Sequence, residues 1–457
     1  PSPSQIFASI PKVRQAARFV VHSAKLRCVG VSMFLSGLFV NSKHTLHDWL
    51  AYIESLHPLG AAGIELGLGR VQKVYAALGL ASRLPCLVVT VGGTNGKGSS
   101  VAMLEAIALA AGLRVAAFTS PHLLRYNERV RINGVDADDE SWVQAFMRVE
   151  AARGEVALTY FEFGTLAALV LMLANAPQLM LLEVGLGGRR DAVNAVDADA
   201  FLLTNVSLDH VAILGADREA IGHDKAGIMR AGQIVVLAES DPPVTVRMQA
   251  LKLGLADGRD NFQRERDFGL TQLDEASWRW FSAERSMVLP QPGLSGAHQR
   301  DNAAGVVMLL EALKARHSEL AHLAHEHYTA GLRQVRHAGR LQRLPGAVPV
   351  WLDVAHNPAG VEALARAMCD FPAQGRTLAV FAALADKDAL AMVEALAAQV
   401  DGWYLASTGG VRGRSGEALA ALLHPANIDI RAAEATPLLA YTDRKSTRLN
   451  SSHVSQS

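Results

Sequence analysis

Cysteine is scarce. Cys28, Cys86 and Cys369 are the only three in 457 residues, too few and too far apart for a disulfide framework or a metal-ligand motif. Each reads as a small core hydrophobe, and their rarity points to a reducing compartment. Charge of one sign is not in excess either: 44 basic side chains balance 44 acidic ones, which argues against a polyanion-binding protein held by bulk charge. At 50% hydrophobic, the chain is too apolar for disorder. Long apolar runs are missing as well. Residues 28–40 (CVGVSMFLSGLFV) follow Lys12, Arg14, Arg18, Lys25 and Arg27, in the manner of a signal peptide. The run is too short to span a bilayer, and no small-x-small cleavage site follows cleanly. The apolar stretch at 161–174 is closed by Asn175 and Pro177. These absences leave a cytoplasmic protein with no membrane and no nucleic-acid partner, long enough for two or three domains.

Both ends stand apart. Residues 1–43 read as an extension outside the folded part, with Met33 as an alternative start. Residues 443–457 (DRKSTRLNSSHVSQS) are polar, Ser-rich and aperiodic, and read as a tail outside the fold.

What is present centres on residues 88–112, VVTVGGTNGKGSSVAMLEAIALAAG. A buried strand runs into a glycine-rich turn, and Ser99 and Ser100 open a helical pattern carried by Val101, Leu104, Ile107, Ala108 and Ala111. Glycines let a backbone approach an anion, the free N–H groups of a helix start point at it, and Lys97 adds charge. The fit to G-x-x-x-x-G-K-[ST] is imperfect: Val91 stands at the first glycine, and Gly98 separates Lys97 from Ser99.

Around this stretch, apolar strands alternate with helical patterns. Strands are expected at 114–118, 178–184, 200–206 and 233–238, with helices at 140–152, 161–174, 217–230 and 297–315. That alternation predicts a doubly wound parallel sheet, whose ligands sit beyond the C-terminal strand ends. GGTNGKGS, TSPH, EVGLGG and SLDH all fall there. Residues 257–292, with Trp278 and Trp280, read as a β-rich excursion. The pattern breaks around 330–346, and a second alternation follows, with strands at 348–353, 377–382 and 402–407 and helices at 360–369, 388–399 and 416–423. The expected architecture is α/β: a P-loop-containing parallel-sheet ATPase domain over 44–336 and a smaller Rossmann-like α/β domain over 337–442.

Strand ends bring Ser120, Glu183 and His210 to the edge that carries Lys97 and Ser99, and Lys225 follows shortly. Alone, a Glu ending a strand is commonly a loop partner, and a His after a strand is commonly structural. Together, beside a phosphate loop, they suit Mg²⁺, which takes hard oxygen ligands and substrate phosphates.

In order along the chain stand GTNGKGSS, TSPHLLRYNERVRING, LTYFEFGTLAAL, LLEVGLGGRRDAVN, SLDHVAILGADREAIGHDKAGI and WLDVAHNPAG. This series resembles the bacterial folylpolyglutamate synthase/dihydrofolate synthase family, within the Mur-ligase-like ATP-dependent amide ligases, from about residue 45 to about 440. The resemblance implies that Thr94, Asn95, Gly96, Lys97, Gly98 and Ser99 cradle ATP, with Asn302, Arg340 and Asp353 as further nucleotide contacts. It implies that Ser120, Glu183, His210 and Lys225 hold two Mg²⁺ ions, with Lys225 carried as a carbamate. Thr159, Arg190, Asp191 and Ala192 would belong to the substrate site. His356 is the candidate for the group that takes the amine's proton. The implied reaction converts a carboxylate of dihydropteroate or a folate into an acyl phosphate, which L-glutamate then attacks. Arg340 at the linker and Asp353 beyond it would require both domains, in a monomer, to close on one ATP and exclude water.

Some residues depart from the family pattern. Arg190 replaces a usual leucine, His223-Asp224 replace Arg-Glu before Lys225, and Gly69 replaces an acidic residue in GIELGLGR. After about residue 442 the polar tail stands where a strand and closing helix are usual, so a weakened second domain is expected. One rival is a Mur-type ligase acting on a UDP-sugar, which would need an additional N-terminal domain. Another is a P-loop NTPase without ligase activity, which would not need Arg340 and Asp353 from a second domain.

Overall fold

The computed structural model describes residues 45–57, 65–346, 348–373, 375–410, 412–437 and 439. The extension over 1–43, the turn at 58–63 and the tail over 443–457 lie outside the described residues.

The first domain is built on eight strands: β1 (Leu87–Gly92), β2 (Val115–Phe118), β3 (Val130–Ile132), β4 (Val135–Asp136), β5 (Leu179–Glu183), β6 (Ala200–Leu203), β7 (Ile234–Leu237) and β8 (Asn261–Gln263). They form one sheet in the order β4-β3-β2-β5-β1-β6-β7-β8. The six strands from β2 to β8 in that order are parallel, and β3 and β4 add an antiparallel edge. Every residue of β1, β5, β6 and β7 is buried. Their unbroken apolar runs follow from helices covering both faces. Helices Lys97–Ala110, Ala297–Lys314 and His325–Gln334 pack on one face. On the other lie Leu46–Leu56, Leu68–Ala77, Asp139–Arg153 and Tyr160–Ala174 beside Arg218–Ala226 and Val244–Lys252.

The β-rich excursion is an antiparallel sheet of β9 (Phe268–Gln272), β10 (Ser277–Ser282) and β11 (Ser286–Pro290). Trp278 and Trp280 alternate inward on β10, while Arg279 and Phe281 face outward.

The second domain holds a hairpin, β12 (Gln342–Leu344) with β13 (Val350–Leu352), and a parallel sheet of β14 (Leu378–Phe381), β15 (Gly402–Ala406) and β16 (Ile430–Glu434). Helices Pro358–Met368, Ala389–Leu396 and Gly416–Leu423 connect them. The strand expected at 348–353 forms as β13 but pairs with β12 across the Pro345–Gly346 turn, apart from the parallel sheet. The edge β3–β4, β12, β16 and helix His325–Gln334 were not foreseen; the strands are two to five residues long and break their apolar positions with Arg, Asp, Gln or Glu, and the helix is mostly polar. Among the described residues, no helix is long and apolar enough to cross a membrane.

Candidate active site

The C-terminal strand ends open onto a cleft of about 1250 Å³ that residues of both domains line. Its floor is the loop after β1. The Thr94 amide donates to Asn205 O (2.9 Å), the Asn95 amide to Asn205 Oδ1 (3.0 Å), and the Thr204 hydroxyl to Asn95 O (2.6 Å). The loop is thus tied to the turn after β6. At Gly93 (φ +143°) a Cβ would fall 1.8 Å from Thr204 Oγ1, so only glycine lets the two turns touch. Lys97 Nζ curls back to Gly93 O (3.0 Å) and Thr94 O (3.1 Å). Burial pushes the pKa of this ammonium down, with the Glu183 charge opposing the shift. Ser99 and Ser100 are buried with hydroxyls that have no hydrogen-bond partner among the described residues. Partnerless hydroxyls, a lysine and open helix N–H groups around a glycine loop fit a polyphosphate.

Glu183, the last residue of β5, stands in register with Val91 and accepts from the Ser120 amide (3.0 Å). Burial pushes its carboxyl up, and Lys97 opposes. Lys225 is buried on helix Arg218–Ala226 and donates to Gly93 O (2.9 Å). Burial, then the Lys97 charge, pushes it down to about 7. The helix comes this close because a Cβ at Gly188 would meet Lys225 Cα at 2.8 Å. His210 (φ +50°) begins the turn Val211–Leu214, and burial pushes it down to about 4, keeping a neutral imidazole. Ser120, Glu183, His210 and Lys225 all line the cleft. Among the described residues, no three His, Cys, Asp or Glu side chains gather closely enough to hold a metal alone. The donor set therefore fits Mg²⁺ where phosphate oxygens share the coordination.

Arg340, Asp353 and His356 reach the cleft from the second part of the chain, and Asn302 lines it beside Gly96. Asp353 accepts from the Leu341 (2.8 Å) and Ala355 (2.7 Å) amides, which fixes the linker. His356 has Val354 O 3.0 Å from Nδ1 and Asp209 Oδ2 3.4 Å from Nε2.

Sequence reasoning missed the polar seam between the domains. Asp209 sits in SLDH, and Asn357 in AHNP, but neither motif says that they meet. Lys387 donates to Asp209 Oδ1 (2.6 Å) and Asn357 to Asp209 Oδ2 (3.0 Å). Burial would raise the Asp209 carboxyl, but the bonds from His356 and Lys387 outweigh it and hold the group far below the usual carboxylate range. Asn357 also exchanges amide bonds with Asn95 (3.0 and 3.1 Å) while capping helix Pro358–Met368. The phosphate loop is therefore bonded directly to the second domain.

The residues expected at the substrate site lie elsewhere. Thr159, Arg190, Asp191 and Ala192 are not among the residues lining this cleft. Thr159 caps helix Tyr160–Ala174 through a capping box with Glu162. Asp191 is buried and accepts from the Leu186 and Val193 amides (both 2.9 Å); burial pushes it up to about 6. Arg190 is exposed, 3.9 Å from Asp224 Oδ1, and Arg189 lies 3.1 Å from His223 Nε2. Two of the departures from the family pattern, Arg190 and Asp224, are thus neighbours.

Residues 339–445 match the family model of the Mur ligase, glutamate ligase domain. The chain is 39% identical over 380 residues to the dihydrofolate synthase/folylpolyglutamate synthase of Escherichia coli (strain K12), covering 82% of this chain and 84% of that one. It is 37% identical over 404 residues to the enzyme of the same name from Haemophilus influenzae, covering 84% and 88%. The solved structure of E. coli FolC in complex with DHPP and ADP superposes with a TM-score of 0.80 at 36% identity, covering 88% of this chain and 92% of that one. A bifunctional folylpolyglutamate synthase/dihydrofolate synthase with Mn, AMPPNP and L-glutamate bound gives 0.78 at 37% identity and the same coverage. With both domains and the strand-end cleft accounted for over this length, the chain belongs to the dihydrofolate synthase/folylpolyglutamate synthase family of ATP-dependent ligases.

Proposed function

We propose that the protein joins L-glutamate to dihydropteroate, making dihydrofolate, and to the γ-carboxyl of folates, lengthening a polyglutamate tail. The observation that carries this reading is the single cleft in which the β1 glycine loop faces Ser120, Glu183, His210 and Lys225 together with Arg340 and Asp353. A carboxylate is a poor electrophile; ATP with Mg²⁺ makes it one, as an acyl phosphate that an amine converts to an amide.

This chain's residues would do the positioning. Thr94 to Ser99 hold the phosphates, and Lys97 turns from its backbone acceptors to the β/γ end. Asn302, Arg340 and Asp353 complete the nucleotide site. Ser120, Glu183, His210 and Lys225 would hold two Mg²⁺ ions. Only a neutral amine adds CO₂, and burial beside Lys97 favours the neutral form of Lys225, which supports its carbamylation. The carbamate would replace a cation by an oxygen ligand. The seam from Asp209 to Lys387 and Asn357 holds the domains together over the reacting groups and keeps water out. Thr159, Asp191 and Ala192 would shape the pteroate site from below as buried supports, with Arg190 at its rim. One chain supplies both walls of the cleft, which supports action as a monomer, and the cytoplasm is the proposed compartment.

Mass spectrometry of products from ATP, L-glutamate and either dihydropteroate or tetrahydrofolate tests the reading. A mass gain of one glutamyl residue is expected with both acceptors. No gain with either, or ADP release that depends on a UDP-sugar, would overturn it.

A further inference from the structure

Three linker and sheet-edge groups converge above the start of helix Lys97–Ala110. A point one Cβ length from Gly98 Cα lies 2.8 Å from His337 Nε2, 3.4 Å from Arg340 Nη2 and 3.6 Å from Glu183 Oε1. Gly98 is the residue that interrupts the common lysine-hydroxyl order, and any side chain there would strike the His337 ring. His337 lines the cleft together with Arg131 and Arg340. Its ring makes no hydrogen bond among the described residues, and Arg340 makes only a long one, 3.5 Å, to Gly339 O. Ser99, next in the chain to Gly98, lines the same cleft with a hydroxyl that has no partner among the described residues.

We propose that His337 is a further nucleotide-contacting residue, donating from Nε2 to the β/γ phosphates of ATP beside Arg340. This rests on the ATP-dependent reading above. Burial, then the Arg340 and Arg131 charges, pushes the ring down to about 3, so it acts as a neutral donor. A neutral imidazole adds a hydrogen bond without adding charge to a region that already holds Lys97, Arg131 and Arg340. His337 and Arg340 share one short linker segment, so phosphate contacts at both would fix the linker as the nucleotide binds.

Calorimetric titration of AMP-PNP and AMP with Mg²⁺, and no folate present, separates the outcomes. His337→Leu should weaken AMP-PNP about 10- to 100-fold and leave AMP within twofold, as loss of one donor to a charged group predicts. His337→Gln, which keeps an N–H near the Nε2 position, should recover most of the loss. Equal AMP-PNP affinity in His337→Leu and wild type overturns the proposal. So does an equal loss for AMP, or a Gln variant as weak as Leu, because either marks a packing role. Wild-type protein that fails to bind AMP-PNP overturns the parent reading together with this one.

Discussion

The two α/β parts of this molecule are built to different standards. In the first, β1, β5, β6 and β7 are buried at every residue, and helices cover both faces. In the second, β14 has no buried residue and β16 alternates between half-buried and exposed positions. The main cluster there is small: Ala383, Ala389, Val393, Trp403, Leu405, Leu419 and Leu423. The first part is positioned by its own core. The second is tied to the cleft by polar bonds among Asp209, Asn357 and Lys387, whose ion pair is largely shielded from water. A fully cored floor and a cover tied to it by polar bonds suit a ligase that must admit two substrates and then exclude solvent.

Removing the floor's charge should have the largest effect. Lys97→Met should lower kcat/KM for ATP by about 10²- to 10³-fold in steady-state assays, with the melting temperature unchanged. Next comes a direct contrast of the two cores. Leu405→Ala should cost roughly 2–4 kcal/mol, read as an earlier loss of the second domain in limited proteolysis. Leu181→Ala, in the first core, should instead lower the main thermal transition. Equal responses to both would remove the distinction between the parts.

The seam should matter less for folding than for turnover. Asp209→Asn should lower kcat by about 10- to 100-fold while AMP-PNP affinity stays within about threefold. The double variant with Lys387→Met should be no worse than either single one, because both remove the same ion pair. Additive losses would show that the two groups act separately.

The smallest expected effect is a pH slope in the first part. Asp191 has a folded pKa of about 6, above its unfolded value near about 4. Between those values the native state binds more protons, so this group makes stability fall as pH rises. Asp191→Asn should flatten that part of the unfolding free energy measured against pH.

Much of this is legible in the sequence. The strands expected at 178–184 and 233–238 form within one or two residues, because continuous Val and Leu runs between turns have few other uses. The strand-end motifs do line one cleft. The edge β3–β4 and strand β16 were not legible, since pairing partners rather than an apolar pattern define them. Nor was the burial of Asp191 and Thr159 as caps, which depends on what surrounds each turn.

The sequence by itself determined the parallel sheet, the phosphate loop and the set of polar residues at its strand ends. Local hydrophobic period and glycine chemistry act over a few residues, and so can be read from them. Only the tertiary structure decided which of those residues meet. Asp209 lies 148 residues from Asn357 and 178 from Lys387, and His337 reaches Gly98 only because the linker folds back over the cleft. No local pattern encodes contacts at that separation; they follow from how the two domains pack.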